Sequence, residues 1–273
     1  MHILKRVIVT IFIISLIVFL LYFGWNKLTT DETLPTISCT TDTIEMSIND
    51  DEAILYDGVS AWDDKDGDIT ENVFIEEISQ FIREGVCNVT YAVVDSDNHV
   101  AKLTRRLSYT DYTSPEFILE KALVFTQGQT FSILDYVDAV DVIDGYIHDK
   151  IKTVDSTVDT TEEGSYEITI QVTNSLGDTV EETLPVYVVS SEDLAVTIEL
   201  STYLVYVDSG ENFDPSDYVE SVTGSYGEEM DKDSVTLKSK VDLSTPGVYT
   251  VKYSAEDDNG NKGITRLVVI VRE

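Results

Sequence analysis

Three segments of the chain repeat one pattern: EGVCNVTYAVVD (84–95), EGSYEITIQVTN (163–174) and PGVYTVKYSAED (246–257). Their glycines, Gly85, Gly164 and Gly247, set a period of about 80 residues, which marks an array of similar units rather than one large domain. Each segment alternates. In the third, Tyr249, Val251, Tyr253 and Ala255 share one face and Val248, Thr250, Lys252 and Ser254 the other. That is the signature of a strand half buried against a core, and Tyr91, Tyr249 and Tyr253 are expected inside. A turn follows each strand, with Gly260, Asn98 and Gly177 in the slot that needs a positive φ. A second strand then returns. Pro185 in the middle copy cannot donate a ladder hydrogen bond, so its strand is expected at a sheet edge. Many short strands punctuated by turns predict an all-β sandwich in each unit. The units run over 34–111, 112–190 and a divergent 191–273.

A second segment repeats as well. VSAWDDKDGDIT (59–70) returns as VDAVDVIDGYIH (137–148), and Pro35 pairs with Pro115 upstream. Downstream, Thr104-Arg105 is matched to Thr265-Arg266. The crowded aspartates invite comparison with an EF-hand loop, which needs acidic ligands at positions 1, 3 and 5, Gly at 6 and Glu at 12. With Gly67 at position 6, position 1 is Trp62 and position 12 is Val73, and in the second copy position 3 is Val142. The shared element is Asp-x-x-Asp-Gly, a turn signal. A calcium site of another kind, built from Asp63, Asp64, Asp66 and Asp68, is the alternative. No other cofactor is expected.

The first 30 residues are a different material. Val7–Trp25 is free of charge, and a helix of that length spans about 28 Å, close to a bilayer's hydrocarbon core. Tyr22 and Trp25 sit where an interfacial belt would lie, and Lys5 and Arg6 flank the other end. The reading is a short N-terminus (1–6) in the cytoplasm, an uncleaved anchor (7–25), a linker (26–33) and everything beyond outside the cell membrane. A cleaved signal peptide competes, with a shorter apolar region and a small-residue cleavage site as its usual marks. A lipoprotein is excluded because no cysteine lies near this segment. Beyond residue 30, 15 basic residues face 51 acidic ones, and the whole chain carries −33. Such a field repels phosphate backbones, which excludes nucleic acid as a partner.

GVSAWDDKDGDIT followed by GVCNVTYAVVDSDNHVAKLTRR resembles the bacterial immunoglobulin-like domains of the group named from pesticidal crystal proteins. The resemblance rests on an Ala-x-Asp-x-x-Asp-Gly segment, a Gly-x-Tyr-x-Val-x-Tyr strand, a Gly-Asn turn and a Thr-Arg lead into the last strand. Cys87 and Asn98-His99 depart from it in the first copy, Thr-Arg is missing in the second, and VESVTGSYGEEM replaces the Asp-Gly segment in the third. The resemblance covers the chain beyond residue 34. It implies three tandem Ig-like sandwiches of a bacterial surface protein after the N-terminal transmembrane helix, serving as spacers or binding units.

Cys39 and Cys87 are the only cysteines, both in the first repeat. In an exported domain they are the candidate for a disulfide across the sandwich; two buried thiols are the alternative. The histidines His2, His99 and His148 are scattered, and no nucleophile elbow, zinc pattern or phosphate loop is present, so no catalytic residue is assigned and the chain reads as a non-enzyme. With strands of about seven to ten residues, an extended array would reach roughly 80–100 Å. The C-terminal unit is then expected at the free end, where Tyr226, Glu228, Glu229 and Met230 form the candidate binding loop. The function expected is an anchored extracellular stalk or adhesion module that meets a cell-surface protein or carbohydrate, with membrane lipid around its helix. The alternatives are the ligand-binding subunit of a membrane complex and a calcium-stabilised surface rod.

Overall fold

The computed structural model describes residues 2–29 and 32–273, with side chains described over 5–25 and 32–273. Helix α1 covers His2–Thr29. It is longer than the apolar stretch because Asn26–Thr29 contains no helix breaker; of the linker expected at 26–33, residues 26–29 are therefore helical, and residues 30 and 31 lie outside the described set. Lys5–Trp25 is one helix long and apolar enough to cross a membrane, a property a signal sequence shares. Its side chains from Lys5 to Trp25 are almost all exposed.

The rest is strand, turn and short 3-10 segments, in two compact units, Met1–Asp111 and Tyr112–Glu273. In the first, β1 (Thr36–Cys39), β2 (Thr43–Met46), β3 (Val59–Asp63), β4 (Gly67–Asp68), β5 (Phe74–Ile78), β6 (Val86–Val94) and β7 (Val100–Tyr109) form two sheets. Their orders are β1-β3-β4 and β2-β7-β6-β5. The inward residues of β6, Cys87, Val89, Tyr91 and Val93, are fully buried and meet Ile44, Leu55, Ala61 and Leu107. Each such Val, Leu or Ile side chain contributes roughly 1.5–3 kcal/mol by leaving water.

In the second unit, β8 (Glu116–Leu119), β9 (Val124–Thr126), β10 (Val137–Asp141), β11 (Gly145–Tyr146), β12 (Lys152–Ser156), β13 (Gly164–Thr173) and β14 (Thr179–Val189) repeat that plan. The sheets are β11-β10-β8 and β12-β13-β14-β9. A third sandwich follows from β15 (Thr197–Leu200), β16 (Leu204–Asp208), β17 (Val219–Thr223), β18 (Thr236–Ser239), β19 (Gly247–Glu256) and β20 (Lys262–Arg272), ordered β15-β17 and β16-β20-β19-β18. The chain is thus all-β beyond its helix, in three sandwiches.

Register corrects one sequence match. Val89 pairs with Arg105, Ile168 with Leu184 and Val251 with Leu267. Arg105 therefore stands where its siblings have an inward leucine, and Thr104, not Arg105, corresponds to Arg266. Matching identical letters slipped the alignment by one residue, and a one-residue slip exchanges the faces of a strand. The turns set the true count, because Asp95 N donates to His99 O as Asp257 N does to Asn261 O. Arg105 is 3% exposed and donates from Nη1 to Asp57 O and from Nη2 to Thr41 Oγ1, at 2.9 and 2.8 Å. Pro185 is a milder correction. Its strand β14 lies between β13 and β9, but β9 pairs only with Tyr187–Val189, so the proline sits just before the stretch that needs a donor on that side.

The second and third sandwiches share a core. Leu204, Val268 and Ile270, on the outer face of the β16-β20 pair, join the cluster built on Phe117, Phe125 and Ile170. Tyr203 and Tyr206 pack there too, both partly buried. Phe117 N donates to Tyr206 Oη at 2.9 Å, Arg272 lies 3.8 Å over the Tyr206 ring and pairs with Glu116 at 2.7 Å, and Arg266 lies 3.5 Å over the Tyr187 ring.

Candidate functional site

In the first sandwich Asp63 is buried at the end of β3, and its Oδ1 accepts from Lys65 N and Asp66 N, closing the turn. Asp66 accepts from Ser96 N at 2.7 Å and Ser96 Oγ at 2.8 Å, which ties the β3-β4 hairpin to the β6-β7 turn. Asp68 accepts from Thr70 N; hydrogen bonds from Thr70 hold its carboxyl below the usual carboxylate value. Asp64 is exposed. The four candidate calcium residues thus divide between turn bonds, a strap and solvent, and among the described residues no three His, Cys, Asp or Glu side chains gather as metal ligands. Gly67 has φ +75°, the left-handed region that its turn needs and that favours glycine.

The second sandwich repeats the device. Asp141 Oδ1 accepts from Ile143 N and Asp144 N, and Asp144 accepts from Ser175 N at 2.7 Å and Ser175 Oγ at 2.6 Å. Lys150 Nζ adds a third bond to Asp144 at 2.6 Å. In the third sandwich the strap survives with its polarity reversed. Ser225 now lies on the hairpin and donates from N and Oγ to Asp257 Oδ2 on the following turn, at 3.3 and 2.6 Å. The Ser225 hydroxyl, with Asn261 and backbone donors behind it, holds the Asp257 carboxyl well below the usual range. The segment that replaces Asp-Gly therefore does the same structural work.

The turns opposite are equally regular. Asp95, Asn174 and Asp257 each accept at Oδ1 from the backbone N two and four residues on. Asn98, Gly177 and Gly260 take positive φ there, as the sequence predicts. One difference matters. Asn174 Nδ2 donates to Asp141 Oδ2 at 3.1 Å, whereas the residue in its place in the first sandwich, Asp95, is engaged with His99 Nδ1 at 2.7 Å. Asp63 Oδ2 is consequently buried without a hydrogen-bond partner.

The candidate tip loop separates into different roles. Tyr226 is 82% exposed, and its N donates to Glu228 Oε2. Glu229 bridges to Thr223, while Met230 packs, partly buried, against the third core. Ser96, Ser175, Ser225 and Asp257 were missed by the sequence reading; the signal was a Ser or Asp beside each turn, legible only once the two loops are known to meet. Cys39 and Cys87 are both free thiols on facing sheets, so the bridge expected from the sequence is not formed in this structure. Burial pushes the Cys87 thiol up to about 11.

Comparison with known proteins agrees with this architecture. The family profile "Bacterial surface protein, Ig-like domain" matches residues 119–188 and 201–271, together just over half of the chain. The pesticidal crystal protein Cry22Aa of Bacillus thuringiensis is 27% identical over 228 residues, covering 79% of this chain and 30% of that protein. An 81.3 kDa protein of Acholeplasma phage L2 is 25% identical over 232 residues, covering 77% and 30%. The chain thus spans under a third of the length of either relative. Among solved structures, Drosophila N-cadherin EC1-3 covers 89% of this chain and 91% of its own at 13% identity, with a TM-score of 0.29, too low to establish a common arrangement. With two of its three sandwiches matched to the profile, the chain belongs to the bacterial surface protein Ig-like domain family.

Proposed function

We propose that this chain is a membrane-tethered exterior array of Ig-like sandwiches that acts by binding and spacing rather than by catalysis. The observation that carries the reading is the junction of one apolar helix, Lys5–Trp25, with sandwiches of a surface-protein family. Lys5 and Arg6 at the head of the helix favour a cytoplasmic N-terminus, which leaves residues 34–273 outside. The carboxylates of Asp66, Asp144 and Asp257 are engaged in straps between loops, which supports a structural role for them over a catalytic one. Rigid sandwiches that carry exposed loops are suited to recognition of a surface protein or carbohydrate.

The test is the mass of the chain in separated cell fractions. Full-length chain in the membrane fraction supports the reading. A mature form that begins near residue 26–31 and accumulates in the medium overturns the tether.

A further inference from the structure

Outside the helix, the three most exposed aromatic residues among those described are Trp62, Tyr146 and Tyr226, at 56, 75 and 82%. Each lies in a different sandwich, and all three lie on the same hairpin of it. Trp62 is on β3 opposite Asp68, whereas Tyr146 is on β11 opposite Val140. The first sandwich thus supplies its ring from the first strand of the hairpin and the second from the second strand. In the third the hairpin is rebuilt, and the ring stands in the turn between Gly224 and Gly227. Three different sequence solutions put a ring on the same hairpin, two on its paired strands and one in its turn. A sandwich gains no core burial from these rings, so the shared placement points to a use at the surface. Each hairpin is also held in place by its strap, Asp66 to Ser96, Asp144 to Ser175 and Ser225 to Asp257, so the rings are carried on fixed supports.

The surroundings define the ligand. On the outer face of β1-β3-β4, Trp62 is accompanied by Thr36, Ser38, Ser60 and Asp68, all exposed, with Ser38 Oγ 3.1 Å from Ser60 Oγ. Tyr226 is flanked by Ser225 and Glu228. The exposed apolar side chains close to the rings in sequence are single ones, Val142 in the hairpin of Tyr146 and Leu34 two residues before Thr36. Isolated rings among hydroxyls and carboxylates do not make the contiguous apolar patch that a stable protein interface requires. They do match a hexose whose equatorial hydroxyls leave a flat C–H face: the ring stacks on that face, and the oxygens at its edge take the hydroxyls. A charge of −33 disfavours polymers bearing phosphate or uronate. A single ring binds weakly, so each hairpin is a low-affinity subsite in its own right, suited to a repeating polymer that offers the same flat face many times over.

We propose that the three hairpins are stacking subsites, centred on Trp62, Tyr146 and Tyr226, for a neutral β-linked glycan chain. The proposal rests on the exterior placement argued above. Because the chain has two tryptophans, a full-length Trp25→Phe protein in detergent carries Trp62 as its only one. It is titrated with cello- and chito-hexaose, with polygalacturonate as the anionic control, and full-length protein is co-sedimented with insoluble β-glucan and chitin. The Trp62 emission changes with a neutral oligosaccharide and not with polygalacturonate. Each single alanine variant lowers retention about fivefold, and the triple variant falls to background with an unchanged Tm. Unchanged emission at millimolar oligosaccharide, wild type that does not sediment, or a triple variant that sediments like wild type each overturns the proposal. Those results leave the tether reading standing, whereas chain released into the medium that still binds glycan would overturn only the tether.

Discussion

Replacing Asp144 by alanine removes the strap of the second sandwich. Three hydrogen bonds are lost, from Ser175 N, Ser175 Oγ and Lys150 Nζ. A hydrogen bond to a buried charged group is worth about 1.5–3 kcal/mol. The Asp144 side chain is 14% exposed, at the rim where water competes, so the Ser175 pair together contributes about 2–3 kcal/mol. Lys150 is 37% exposed, and its bridge adds about 0.5 kcal/mol. A loss near 3 kcal/mol lowers the Tm of the Tyr112–Glu273 unit by about 6–12 °C, at roughly 2–4 °C per kcal/mol for a unit of its size. Desolvation pushes the Asp144 carboxyl up, but the bonds from Lys150 and Ser175 outweigh it and the group titrates below the usual carboxylate value. A depressed carboxylate contributes stability that is complete above the unfolded value, about 3.9, and is lost as pH falls through the folded one. Calorimetry on the full chain, with the Met1–Asp111 transition as internal reference, should show the whole gap at pH 7 and a closing gap below about pH 4. A gap under about 2 °C at pH 7, or one that widens on acidification, refutes the strap.

Tyr206→Ala removes the ring that joins the second and third sandwiches, together with the acceptor for Phe117 N and the seat of Arg272. It should cost about 3–5 kcal/mol and split the transition of the second unit in two; one sharp transition within about 2 °C of wild type contradicts the shared core. Asp95→Asn provides an Nδ2 donor where Asn174 has one, so Asp63 Oδ2 gains its missing partner and the Tm of the first unit rises; a fall in Tm in calorimetry contradicts that assignment. In native protein a thiol label should modify half-buried Cys39 and spare Cys87, and both should react once the chain is denatured without reductant. A chain in which neither cysteine reacts after denaturation carries the Cys39–Cys87 bridge instead.

The alternation of Tyr249, Val251 and Tyr253 was enough to read strands, and the glycine and asparagine turns enough to pair them, because both signals are local. The straps are not local. Asp66 and Ser96 stand 30 residues apart, and nothing in either loop states that they meet. The reversal in the third sandwich hid the equivalence further, since Asp-x-x-Asp-Gly vanishes while the contact persists between Ser225 and Asp257. Arg105 was misplaced because identical letters are a poorer guide to register than hairpin length. The shared core did leave a trace: Leu267–Val271 is an unbroken apolar run, and a strand buried on both faces reads that way. The aromatic hairpins were half legible. Tyr226 stood out in a divergent loop, but Trp62 and Tyr146 fall on opposite strands of theirs, and only the register shows that they share a face.

Protease added to intact cells stripped of their wall tests the exterior array most directly. The tethered reading predicts that the three sandwiches are digested from outside while a fragment that contains Lys5–Trp25 remains in the membrane. Sandwiches that stay protected until the membrane is broken would contradict it.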